Sequence, residues 1–318
     1  MKKASSRLRI NEGQTFAGRY RILERIGRGG LSVVYKAECL EDQKLVAVKL
    51  YLPKLNLDFE KAQNLASSNA DLDKRIVPLI EFGFDEPAKL HYAVMPYIQG
   101  QTLTDLILLK GRLDEGEAVL FLTEIASVIK AAHDCGITHG DINPGNIIIC
   151  ETREAEAPVL KLIDFAVHST ENTELIGSPS FMSPEQCQGK VGGKASDIYA
   201  LGSLLYYLVT GNPPFQEATA EAIILSKLAG KHPPFEAMPF TSHVKSIFRR
   251  TLKRKKEERY ESVDELLQDL ALAKGSINIE NAQLAKGHEK RLPPQLKIAM
   301  LLALACIAYA MVNLMGKH

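Results

Sequence analysis

Asp141 and Asn146 stand five residues apart in the stretch His139-Gly140-Asp141-Ile142-Asn143-Pro144-Gly145-Asn146. Pro144 and Gly145 shape a tight turn between them. That spacing can aim a carboxylate and an amide into one pocket. A second acidic residue, Asp164, ends the apolar run Leu162-Ile163. Oxygen donors at two strand ends suit a hard divalent cation carried by a phosphate chain. Far upstream, Lys49 ends the apolar run Val46-Ala47-Val48, after the glycine-rich turn Gly27-Arg28-Gly29-Gly30-Leu31-Ser32. Glycine lets backbone N–H groups approach phosphate oxygens. Taken singly, these features are weak: hairpins often contain Gly-x-Gly, and a lysine at a strand end usually reaches for solvent.

The elements that must position these groups follow from periodicity. Tyr20 to Leu50 predicts three strands joined by turns, with Glu41-Asp42-Gln43-Lys44 as a polar hairpin tip. Residues 1–19 read as a loose arm. Asp58 to Asn69 reads as a helix. Val77–Gly83 and Leu90–Met95 read as two more strands. Asp114 to Cys135 is a helix with Leu120, Ile125, Val128 and Ile129 as its core side, ended by Gly136.

In this order and spacing the chain resembles the bacterial eukaryotic-like serine/threonine protein kinases, over about Tyr20 to Ala273. Their catalytic loop reads H-R-D-x-x-x-x-N and their metal-binding turn D-F-G; this chain has His139-Gly140-Asp141 with Asn146, and Asp164-Phe165-Ala166. Phe181-Met182-Ser183-Pro184-Glu185 resembles A-P-E, and Asp197 to Gly202 resembles D-x-W-x-x-G. The resemblance implies an α+β, two-lobed fold: an N-lobe over 20–98 and a helical C-lobe over 99–273. It implies ATP and Mg²⁺, with Asp141 as base, Lys49 on the phosphates, and Asn146 and Asp164 on the metal. Gly27, Gly29, Val34, Ala47, Met95, Pro96, Ile98 and Ile148 would surround the nucleotide. Pro96 keeps its carbonyl and loses only its N–H, so the hinge remains compatible with adenine. Glu60 would pair with Lys49 or else face water, Glu185 would pair with Arg259, and Asp197 would hold the loop backbone from a buried helix over roughly Ala195 to Thr210. Thr170 and Thr173 would be phosphorylation sites, or ordinary loop residues. The reaction implied is phosphoryl transfer to serine or threonine of protein substrates.

Net charge is +1, so no strong field points to nucleic acid. The five cysteines are scattered without metal spacing. Residues 274–295 read as a polar linker. The run Ile298 to Met315, IAMLLALACIAYAMVNLM, is apolar on every face, and 296–315 is expected to be a single C-terminal transmembrane helix. Lys290, Arg291 and Lys297 precede it, which favours a catalytic part on the cytoplasmic side of the cytoplasmic membrane. The alternative is a buried core helix. Ala299, Ala303, Ala305 and Ala308 leave helix pairing, and so a homodimer, open.

Three residues depart from the kinase pattern. Gly140 replaces the arginine before the base, Asn143 the lysine at the γ-phosphate, and Ala166 the glycine of D-F-G. Losing one charge-assisted hydrogen bond costs roughly 1.5–3 kcal/mol, so Asn143 is expected to slow transfer about ten- to a hundred-fold. Two other readings stay open: a nucleotide-binding pseudokinase acting through partners, and a small-molecule kinase. The segments around Glu185, Asp197 and Arg259 speak against the latter.

Overall fold

Alternation of buried and half-buried residues along Ser32–Cys39 already shows how the first lobe is built. Val33, Tyr35, Ala37 and Cys39 face inward, and Val34 and Lys36 face the other way, as the two-residue period of a strand requires. The structure is a computed structural model. It describes residues 10–29, 32–51, 73–150, 159–165 and 179–291, with side chains through Ile277. Contacts divide the chain into units of residues 1–273 and 274–318.

Strands β1 (Thr15–Phe16), β2 (Tyr20–Arg28), β3 (Ser32–Cys39), β4 (Leu45–Tyr51), β5 (Glu81–Asp85) and β6 (Leu90–Pro96) form an antiparallel sheet in the order β1-β2-β3-β4-β6-β5. Its inner face buries Ile22, Val33, Tyr35, Val46, Val48, Leu50 and Val94. The expected loose arm is corrected from Ile10 onward. Ile10 and Phe16 are buried in this core, the Ile10 N–H donates to Tyr35 Oη at 3.0 Å, and Phe16 meets Tyr92 edge-on. Two apolar side chains with a place to bury outweigh the cost of ordering the arm. The expected strand over Val77–Gly83 forms only from Glu81.

The larger lobe begins with β7 (Gln101–Thr102), which pairs with β8 (Ile147–Cys150), and β8 pairs with β9 (Val159–Leu162). Helix α1 (Leu103–Lys110) and helix α2 (Glu115–Asp134) each open with a capping box, from Thr102 with Asp105 and from Asp114 with Glu117. Helix α2 buries Ile125, Val128 and Ile129 as expected, but Leu120 stands 46% exposed. Leu122, two residues on, holds the core position instead. Next come α3 (Pro184–Cys187), α4 (Lys194–Thr210), α5 (Ala220–Leu228), α6 (Ser242–Thr251) and α7 (Val263–Arg291).

Every residue of α4 from Ser196 to Val209 is buried. Gly202 lets it do so: a Cβ there would lie 2.1 Å from Thr251 Oγ1. The polar stretch read as a linker is helical through Arg291. Alanine, leucine, lysine, arginine, glutamate and glutamine supply ten of the eighteen residues from Lys274 to Arg291, and those helix formers outweigh Gly275 and Gly287. Among the described residues no helix is long and apolar enough to cross a membrane. Residues 296–315, Glu60, Thr170, Thr173 and Ala166 lie outside the described residues.

Candidate active site

Cross-strand pairing puts the nucleotide-facing candidates on one surface. Val34 is opposite Lys49, and Ala47 is opposite Met95. Paired residues share a face, as do positions two apart on a strand. Val34, Ala47, Lys49 and Met95 therefore point together, away from the first lobe's core. Ala47, Met95 and Val77 form a buried apolar cluster with Val34, Ile98 and Ile163 packed on it. Gly27 pairs with Val34, and the Gly29 N–H closes the turn on the Ser32 carbonyl at 2.9 Å. Pro96 ends β6 opposite Val46. Ile148 is half-buried on β8 against Gly100, where an added Cβ would fall 2.7 Å from Ile148 Cγ2.

Lys49 Nζ lies 2.7 Å from Asp164 Oδ2. Burial opposes charge on Lys49, but Asp164, Tyr51 and Asp141 outweigh it and hold the ammonium above its ordinary value. Asp164 sits at φ +64, a left-handed conformation that aspartate tolerates better than most residues. It is held there from both sides. The Ile163 N–H bonds the Asn146 carbonyl at 3.0 Å, and the Phe165 ring lies 4.4 Å from that of His139.

Asn146 Nδ2 donates to the Asp141 carbonyl at 2.8 Å and to Asp141 Oδ2 at 3.1 Å. Its Oδ1 takes part in neither bond. Burial pushes the Asp141 carboxyl up to about 6; Asp164 adds to this, and Lys49, Asn143 and Asn146 pull against it. Asn143 folds back into the loop, accepting from the Gly145 N–H at 2.9 Å and donating to the Asp141 carbonyl at 3.1 Å. Its side chain shapes the turn.

Asp197 on α4 carries this loop. Its Oδ2 accepts from His133 Nε2 at 2.8 Å and from the His139 N–H at 2.9 Å, and its Oδ1 from the Gly140 N–H at 2.8 Å. Gly140 has φ +79, which glycine adopts without strain. Gln186 Nε2 donates to the Gly140 carbonyl at 2.7 Å. Beside it, Arg259 Nη1 and Nη2 meet Glu185 Oε1 and Oε2 at 2.7 and 2.8 Å, and Ser196 Oγ donates to Oε1 at 2.7 Å. Burial works against the Glu185 carboxylate, but Arg259 and Ser196 outweigh it and hold its pKa down at about 2.

The donor set fits Mg²⁺ and ATP. Among the described residues no cluster of three or more His, Cys, Asp or Glu could hold a metal ion. An amide oxygen and a carboxylate, from Asn146 and Asp164, suit a cation that brings phosphate oxygens and water with it. The apolar cluster beside Lys49 offers a place for a base ring.

The profile of the protein kinase domain family matches residues 20–270. The chain belongs to the protein kinase family. The serine/threonine-protein kinase PrkC of Bacillus subtilis is 32% identical over 278 residues, which is 82% of this chain and 41% of that protein. A probable serine/threonine-protein kinase PknB of Lactococcus lactis is 31% identical over 276 residues, 82% of this chain and 43% of that one. The chain thus spans about two fifths of the length of these curated relatives. The fold is that of the Mycobacterium tuberculosis PknI kinase domain. That structure superposes with a TM-score of 0.65 at 22% identity, over 84% of this chain and 100% of that one.

Within this kinase domain the structure brings together Lys49, Asp141, Asn146 and Asp164, and separately Glu185 with Arg259. Sequence reading missed Gln186, Ser196 and His133, which reach partners 46, 11 and 64 residues away. Only Gln186 had a signal, its place next to the Pro184-Glu185 motif. Ile163 and Val77, part of the apolar cluster, were legible only as strand residues.

Proposed function

We propose that this chain transfers the γ-phosphoryl group of ATP to serine or threonine hydroxyls of proteins, and that residues 296–315 anchor it in the cytoplasmic membrane as a signalling kinase. The observation that carries the reading is the joint placement of Lys49 on Asp164 at 2.7 Å and of Asn146 on Asp141 at 3.1 Å. Asp141 takes the hydroxyl proton. Lys49 binds and orients the phosphates, while Val34, Ala47 and Met95 enclose the adenine and exclude water. Asn146 and Asp164 hold the Mg²⁺, which when bound neutralises phosphate charge. The purified protein, given radiolabelled ATP, Mg²⁺ and a generic protein substrate, is expected to label serine and threonine. Nucleotide binding without transfer above the level of Asp141→Asn would instead mark a pseudokinase.

The Gly140 N–H and carbonyl are both held, by Asp197 and by Gln186. Neither partner is a phosphate, and no arginine stands at 140 to receive one. Replacing Thr170 and Thr173 together with alanine is expected to leave most activity; collapse to background overturns the proposal. The anchor has its own test. Full-length protein is expected to stay with membranes through carbonate extraction, and its release refutes the anchor.

A further inference from the structure

Lys227 is the most deeply buried lysine among the described residues, 1% exposed on α5. Its ammonium donates to two main-chain carbonyls, Ser180 at 2.9 Å and Met182 at 2.6 Å. The rings of Tyr199 and Phe215 flank it, their centroids 5.2 and 5.0 Å away, which favours a cation there. Burial pushes its pKa down to about 7, with Cys187 and Glu217 acting against that shift. Keeping such a group inside costs the fold stability, since a buried ammonium is tolerated only where hydrogen bonds satisfy it.

What it fixes lies beside the reacting group. Phe181 and Met182 share a small cavity of about 10 Å³ with Gly140, Asp141 and Asp197. Phe181 packs edge-on against Tyr207 at 5.8 Å, and both Phe181 and Met182 are buried. A polypeptide hydroxyl that reaches Asp141 must bring its flanking chain past residues 180–182. The course of that main chain therefore decides how a protein substrate lies. Helix α5 reaches it through the Lys227 side chain, at its last turn.

We propose that Lys227 is a positioning residue for the protein substrate: by gripping the carbonyls of Ser180 and Met182 it sets the backbone along which the substrate chain docks next to Asp141. This rests on the protein-kinase reading above. Nucleotide meets a different surface, around Val34, Ala47 and Lys49, so the two substrates should respond differently to loss of the grip.

The test is steady-state kinetics on the full chain, with Lys227→Met and Lys227→Gln beside the wild type and each variant's cooperative melting recorded. Lys227→Met is expected to raise KM for a protein substrate at least tenfold while KM for ATP stays within twofold. Lys227→Gln keeps an N–H donor for one carbonyl and is expected to fall between it and the wild type. Should the methionine variant fail to melt cooperatively, the glutamine variant carries the same comparison, with about a threefold rise expected. An unmoved protein KM in a folded variant, or equal rises in both KM values, overturns the proposal. A wild type that labels no protein at all instead overturns the kinase reading.

Discussion

Asp141→Asn is expected to abolish phosphoryl transfer and to raise the melting temperature. Removing a general base typically costs about 10²–10⁴-fold in rate. The gain in stability has a separate origin. Burial pushes the Asp141 carboxyl from its ordinary 3.8 to about 6, so the folded state binds this proton more tightly than the unfolded chain does. The resulting stabilisation is complete below about 3.8 and is lost as pH rises through about 6. At neutral pH the carboxylate therefore works against folding. One pKa unit corresponds to about 1.4 kcal/mol, which puts the penalty on the order of 1–3 kcal/mol.

Asparagine is uncharged, and its side-chain oxygen can still accept from Asn146 Nδ2. The variant is expected to melt about 3–8 °C above the wild type at pH 7.5, with the gap closing toward pH 4. Equal or lower melting at pH 7.5 refutes burial as the cause. The same shift fixes the wild type's acid limb. Its kcat/KM should fall about tenfold per pH unit below about 6. An ordinary aspartate would hold the rate about two units further.

Function here is bought with local instability, and that shapes what a sequence can reveal. Lys49, Ala47 and Val34 were named from the resemblance to kinase motifs, and strict alternation along β3 and β4 is why they share a face. Helix α2 was legible because Asp114 and Glu117 cap it and Gly136 ends it at φ +75. Leu120 shows the limit of that reading. Positions 120 and 122 lie about 200° apart on a helix, so one of them faces water, and the i, i+3, i+7 spacing with Ile125 and Ile129 belongs to Leu122. Ile10 lies outside any strand and Phe16 in a two-residue one, so neither shows periodicity; their place is set by Tyr35 and Tyr92. Asn143 was read by what it replaces, a lysine. What it does is cap its own turn, by accepting from the Gly145 N–H. Ser196 and Lys227 act on atoms far along the chain, and nothing in their immediate neighbours encodes that reach; Gln186 was marked by its place beside Glu185, which does not encode its bond to Gly140.

The other large effect falls on Arg259. All five of its N–H groups have acceptors. Nε donates to the Lys253 carbonyl at 2.8 Å, Nη1 to Glu185 Oε1 and the Ala195 carbonyl at 2.7 and 2.9 Å, and Nη2 to Glu185 Oε2 and the Arg254 carbonyl at 2.8 and 3.1 Å. Its side chain has no exposure, and Glu185 keeps 13%. Arg259→Ala leaves that carboxylate buried with Ser196 as its remaining side-chain donor, together with three carbonyls stripped of a partner. Breaking one side of a buried ion pair costs about 3–5 kcal/mol, readable as a shift in the denaturation midpoint at unchanged slope.

Arg259→Lys should recover little of this, because an ammonium has three donors and no planar fork. Glu185→Gln separates charge from packing. The wild type's Glu185 contribution is fully present above about 4.5 and is lost as pH falls through about 2. The wild-type advantage over the glutamine variant should therefore shrink across that window and stay constant above it. If the advantage does not depend on pH there, the guanidinium is acting through packing and carbonyl bonds alone. Activity should track this pair as well. Glu185 precedes Gln186, whose amide holds the Gly140 carbonyl one residue before Asp141, so loosening the ion pair frees the loop that aims the base.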